Sequence, residues 1–387
     1  MHNNIKNISE NRELFQSHID SIFDDVEVII NIEGTVVDQN KDISGNNYNV
    51  THLDIKHEGP KKSTTDVDEI IDIIANINKS VSENNRDENR YFSGKRSGWS
   101  AFYVIKELID RLEDMYQSKT ENLYFRGQVR NWQIQPSIYR DGENGFSNQF
   151  RSKFEEIYED ISKKYPDKIN YFEPGNEERP KALAELQHYG LPTPLVDITQ
   201  NPFIALLFMI DGFDSKKFVA KEKLNSPEFD IFFIDKKNHT IFQDVPRDLK
   251  NPRIDAQSGA FLNFEKLQFF TDEGRIIRLR ILFKNSESIE DPIAQEVQEA
   301  FGENSNIQNT MDSLISDIKG KLASYRYMVN DLYPDFDKYL AFQAAKYRNR
   351  TTRFKLYEKA NVLEYLETAD QDTLREMKTI IDSKIPG

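Results

Sequence analysis

The stretch LAELQHYGLPTPLVDITQNPFIALLFMI, residues 183–210, holds the pattern from which the fold is read. Lys181 to Tyr189 reads as a helix, Gly190 is a natural left-handed cap, and Pro192 prevents continuation. LVDIT (195–199) is a short strand, and PFIALLFMI (202–210) is a buried helix of half the length a membrane span needs. Outward from this core, LYFRG (123–127), DIFFID (230–235), SGAFLNF (258–264) and RIIRLRILF (275–283) read as strands, and Asn148 to Lys164 as a helix. From about Pro292 the chain reads as mostly helical. Strands and helices interleave without regular alternation, which predicts an α+β fold of mixed strands and helices.

The first 60 residues read as strands: Val26, Val28, Ile30 and Ile32 alternate, Gly34 offers a turn before Val36 and Val37, and Tyr48 to Ile55 is a third candidate. DVDEIIDIIANINKSV then switches to helical spacing with a capping-box-like start at Asp66 and Glu69. Residues 81–98 are polar and aperiodic and read as a linker, and Trp99 to Gln117 is an amphipathic helix. The expected organisation is an α/β accessory unit over 1–80, the linker, a core domain over 99–342, and a helical tail over 343–387.

Composition narrows the function. The 387 residues include no cysteine, which removes disulfides, thiol nucleophiles and sulfur-based zinc sites and fits a reducing compartment. No signal peptide or membrane span is read, so the expectation is a cytoplasmic protein with no membrane partner. A formal net charge of −14 opposes non-specific nucleic-acid binding, and the basic run YRNRTTRFK (347–355) reads as a solvated helix end or loop. There is no P-loop, no dinucleotide-binding GxGxxG and no GxSxG elbow, and the six histidines lack metal-ligand spacing, so no metal is expected.

Four blocks carry a family resemblance. ENLYFRGQVRNWQIQPSIYR (121–140) resembles the opening motif of FRG domains, named for the Phe-Arg-Gly that stands here at Phe125, Arg126 and Gly127. LAELQHYGLPTPLVDITQNPFIALLF (183–208), NPRIDAQSGAFLNF (251–264) and LYPDFDKYL (332–340) resemble the later segments in the same order. Pro194 stands where the family usually has Arg, and Ile198 where it usually has Trp.

The order of elements is also similar to that of ADP-ribosyltransferases of the Arg-Ser-Glu class. Arg126-Gly127 occupies the place of the NAD-contacting Arg, Asp197-Ile198-Thr199 that of the Ser/Thr strand, and Gln257 that of the catalytic Glu. That resemblance implies NAD as cofactor, catalytic roles for Arg126, His188, Thr199 and Gln257, and cofactor contacts from Gly127, Gln128, Arg140, Gln187, Tyr189 and Asp197. It implies an ADP-ribosyltransferase-like effector, in a setting of bacterial anti-phage defence or toxicity. Gln257 can hydrogen-bond but cannot serve as a carboxylate, so either another acid such as Glu265 contributes or the site binds without transfer. The alternative is a module that binds a nucleotide, a nucleic-acid end or a partner protein without chemistry.

Read from the residues alone, Arg126 is either a phosphate ligand or half of a buried ion pair, and Asp197 is the partner it would have. His188 has a local role as a cation at a helix C-terminus, and Thr199 as a cap of the helix that begins near Pro202.

Overall fold

The structure, a computed structural model, describes residues 7–34, 48–58, 64–85, 99–117, 119, 121–141, 145–211, 226–235, 240–244, 259–271, 274–285 and 305–328. In chain order the elements are α1 (Ile8–His18), β1 (Phe23–Gly34), β2 (Tyr48–Glu58), α2 (Thr64–Asn85), α3 (Ala101–Tyr116), β3 (Glu121–Gln128), α4 (Asn148–Ser152) and α5 (Phe154–Lys164). They continue as α6 (Arg179–His188), β4 (Leu195–Thr199), α7 (Pro202–Ile210), β5 (Glu228–Asp235), β6 (Phe242–Asp244), β7 (Gly259–Asn263), β8 (Ile276–Asn285) and α8 (Ser305–Ser324). Short 3-10 turns lie at Ser137–Tyr139 and Phe264–Phe269.

All eight strands join one mixed sheet in the order β2-β1-β8-β5-β3-β4-β7-β6, with β1 and β8 parallel and the other pairs antiparallel. The fold is α+β. Side chains alternate across a strand, so each strand feeds two cores. Phe229, Ile231 and Phe233 of β5 pack with α2, α3, α7 and α8, while Phe232 and Ile234 pack with α1, α5 and α6. That double burial explains why DIFFID lacks a polar face.

The amino-terminal strands do not form the separate unit expected for 1–80. β1 is laid between β2 and β8, and Val26, Val28, Ile30 and Ile32 share a core with α3, α7 and β8. The alternation is legible in the sequence, but a partner strand some 250 positions away is not. The region also opens on a helix where strands are expected. Asn7 caps α1 by accepting from the Glu10 N–H at 2.9 Å, and Ile8 and Phe15 are buried. Residues 81–85 of the expected linker continue α2, with Val81 buried, and residues 86–98 lie outside the described residues. The helix expected over Asn148 to Lys164 is two helices that meet at Lys153, whose backbone is not helical. The helical reading beyond Pro292 is met by α8, and the tail over 343–387 lies outside the described residues.

Close packing on β3 sets the geometry of the sheet at its centre. Gly127 of β3 lies directly under α7: a Cβ there would overlap the carbonyl oxygen of Ala205 and come within 2.6 Å of the Met209 nitrogen. The sequence reads this glycine as room for a ligand, whereas helix packing requires it. Gly127→Ala should therefore destabilise by roughly 3 kcal/mol or more, the upper range for overpacking, because backbone cannot yield as a side chain can. A thermal melt within a degree of wild type would show that α7 does not sit this close.

A row of alternating charges also crosses five strands of the sheet. Lys56, Glu27, Arg280, Asp230 and Arg126 are successive register partners on β2, β1, β8, β5 and β3. Asp230 is fully buried beside a second carboxylate, Glu228. Burial pushes its carboxyl well above the usual range, and Glu228 raises it further against the opposing charges of Arg278 and Arg280. A raised acid favours the protonated folded state. Stability contributed by that proton is then full below the ordinary carboxyl pKa of about 3.9 and declines as pH rises through the raised value. Asp230→Asn should abolish that decline. Melts of both proteins from about pH 5 to 8 test this, and parallel curves would show that Asp230 holds no extra proton.

Candidate functional site

β4 pairs with β7 over five positions, Leu195 to Thr199, but meets β3 at a single pair, Phe125 and Thr199. Beyond that pair the two strands part. A pocket of about 250 Å³ fills the split, with α7 on one side and the end of α6 on the other. Its polar lining comes from Arg126, Gln187, His188, Asp197 and Thr199, and its apolar lining includes Phe125, Ile198, Phe208 and Phe261. Across the gap the Arg126 Nη1 donates to the main-chain carbonyl of Asp197 at 2.6 Å, where a ladder bond would otherwise continue. The Arg126 Nε is buried without a partner among the described residues.

Of the two readings of Arg126, the ion pair with Asp197 is not formed among the described residues, and the Asp197 carboxylate is engaged elsewhere. Gln187 Nε2 donates to both Asp197 oxygens at 2.9 Å, and Gln187 Oε1 accepts from the Thr193 hydroxyl. α6 brings Gln187 to this point because both its ends are fixed. Buried Arg179 at its start donates to Glu265 and Glu155, and its finish is a Schellman turn. In that turn Gly190 has a φ of +94°, and the Leu191 N–H bonds the Leu186 carbonyl at 3.0 Å.

The remaining predicted site residues do not all reach the pocket. His188 is half-buried at the pocket wall, with Tyr189 edge-on at 5.1 Å. Thr199 lines the pocket and its Oγ1 accepts from the Asn201 N–H at 3.0 Å, but it does not cap α7. Asn201 does, accepting from the Phe203 and Ile204 N–H groups at 3.0 and 3.3 Å. Tyr189 is 66% exposed and lines neither this pocket nor the one next to it. Gln128 is turned inward and donates to the Trp132 carbonyl at 3.1 Å. Glu265, the acid that would replace Gln257, is bound by Arg179 at 2.7 and 3.0 Å and is not at the pocket. Gln257 itself lies outside the described residues.

A second hollow of about 270 Å³ shares Arg126, Gln187 and Asp197 with the first and adds Arg140, Ser137 and Phe146. Desolvation lowers the Arg140 pKa from its ordinary value, the nearby Arg126 charge lowers it further, and Asp197 offsets part of this. Among the described residues the Arg140 guanidinium makes one long hydrogen bond, 3.4 Å to the Gln135 carbonyl. Two guanidinium groups thus border one hollow whose carboxylate, Asp197, is already engaged by Gln187. An anion placed there relieves their mutual repulsion. The Arg140 backbone is fixed by Arg151 and the Phe146 N–H, both on its carbonyl, which only the packing reveals.

Residues 121–217 match the family model described as FRG domain. No curated protein and no solved structure matches the chain. The match runs from β3 past the end of α7, so it contains Arg126, Arg140, Gln187, His188, Asp197 and Thr199 together with the split between β3 and β4. It ends before β5 and is shorter than the 121–340 over which the motif blocks extend. Strands β1, β2, β5, β6, β7 and β8, outside the match, complete the sheet around a site-bearing segment, residues 121–217, that matches the FRG domain.

Proposed function

We propose that the split between β3 and β4 binds NAD, and that the chain acts through it as an ADP-ribosyltransferase-like effector. The observation that carries the reading is Arg126: its guanidinium borders both hollows, is not neutralised by Asp197, and has a neighbour of the same charge in Arg140. Such a pair suits a pyrophosphate, which accepts several charge-assisted hydrogen bonds at once. In ADP-ribosyl transfer the bond between ribose C1′ and nicotinamide breaks, and its electron pair leaves with nicotinamide. The acceptor's nucleophile bonds to C1′ and gives up its proton to a base. Asp197 is the carboxylate among the lining residues and faces the developing positive charge, while His188 is the base.

A second reading, nucleotide binding without turnover, is favoured by the sequestration of Glu265, which leaves Asp197 as the single acid of the lining.

Melting temperature and nicotinamide release separate the two. NAD should raise the melting temperature of the wild-type chain and leave that of Arg126→Ala unchanged. The variant by itself loses one hydrogen bond from a charged group, on the order of 2 kcal/mol, and stays folded. Asp197→Asn should keep the NAD shift and lose nicotinamide release. An equal NAD shift in Arg126→Ala sinks the site, and NAD stabilisation with no release in wild type leaves the binding module.

A further inference from the structure

Arg140 and Phe146, at the rim of the second hollow, are tied to one another by a buried arginine and a close backbone return. Arg151, buried beneath it, donates from Nε to the Ile138 carbonyl at 2.8 Å, from Nη1 to Asn148 at 2.7 Å, and from Nη2 to the Arg140 carbonyl at 2.7 Å and Asp141 at 2.8 Å. The Phe146 N–H returns to the same Arg140 carbonyl at 3.1 Å. Gly145 makes that return feasible, since a Cβ there would collide with the Arg140 carbonyl oxygen. The Phe146 ring is held against Phe150 at 5.2 Å yet stays 36% exposed, on the wall of the second hollow. A fully buried arginine thus fixes the spacing between one exposed cation and one exposed aromatic ring.

We infer that the second hollow is a seat for a nucleoside monophosphate, with the base on the Phe146 ring and the phosphate between Arg126 and Arg140. The inference rests on the nucleotide reading of the cleft and deepens it. The two hollows, about 250 and 270 Å³, meet at Arg126, Gln187 and Asp197. A dinucleotide lying across that shared wall places one mononucleotide half in each, with its pyrophosphate over the paired guanidiniums. The half in the second hollow is recognised by stacking, which accepts any base face, and by charge. The half in the first lies beside Asp197 and His188, where a glycosidic bond is exposed to both.

Calorimetric titration of the full chain with AMP tests this. Phe146→Ala should weaken AMP binding by about 10-fold or more, in the range of a lost base–aromatic stack, and Phe146→Tyr should restore it. Arg140→Ala should weaken it as well, while Phe146→Ala keeps the wild-type melting temperature. AMP binding that is absent in wild type, or unchanged in Phe146→Ala, overturns the assignment. NAD titrations keep the two proposals apart. If NAD binds through Arg126 and is indifferent to Phe146, the subsite fails alone. If AMP binds through Phe146 but NAD is neither bound nor cleaved, the NAD reading fails alone.

Discussion

Helix α7 rests on the bare backbone of Gly127, and the cleft depends on that contact. β4 runs into α7 through Asn201, and the end of β4 nearest that helix, Thr199, is where it still touches β3; toward Leu195 the two strands part. The outcome is a ladder between β3 and β4 reduced to Phe125 and Thr199, although β4 keeps its full pairing with β7. Two strands of one sheet that separate leave unpaired backbone groups at the rim. Arg126 meets this by donating to the Asp197 carbonyl, and so fixes its own side chain across the opening. Glycine, helix and arginine form one mechanical unit.

The arginines divide by what they are asked to do. Arg179 and Arg151 are buried and direct their donors to carboxylates, carbonyls and an amide, so each acts as a clasp: one for α6, the other for the loop that bears Arg140. A buried guanidinium is tolerated only when its donors are satisfied, and both clasps meet that condition. Arg126 and Arg140 stand closer to solvent, beside one another, with little acid to neutralise them. In a chain whose formal charge is −14, a local pair of cations at a cleft focuses attraction for an anionic ligand against the field of the whole molecule.

The charge row from Lys56 to Arg126 ties the amino-terminal strands to this cleft. Asp230 lies directly across from Arg126 on the neighbouring strand, buried and favouring its protonated form. The strands that enclose the row are drawn from both ends of the described chain, so the site-bearing segment is framed by residues far from it in sequence.

The local elements are written in the sequence because their causes are local. Alternating Val26, Val28, Ile30 and Ile32 make a strand wherever that strand goes, Gly190 and Pro192 end a helix by backbone sterics, and the Phe-Arg-Gly and Gln-His-Tyr-Gly blocks identify the family. Sequence and structure diverge where the cause is a distant partner. A unit expected to stand apart became part of the sheet because β8 offered β1 a parallel edge, and Asp197 took Gln187 as its partner because a Schellman turn aimed α6 at it. Gly127 lines the cleft and also carries the helix packed on it, a requirement that only the packing reveals. Periodicity and turn chemistry specify which elements form. Which of them touch is settled by long-range pairing and packing, whose energies depend on shapes and distances that exist only once the chain has folded.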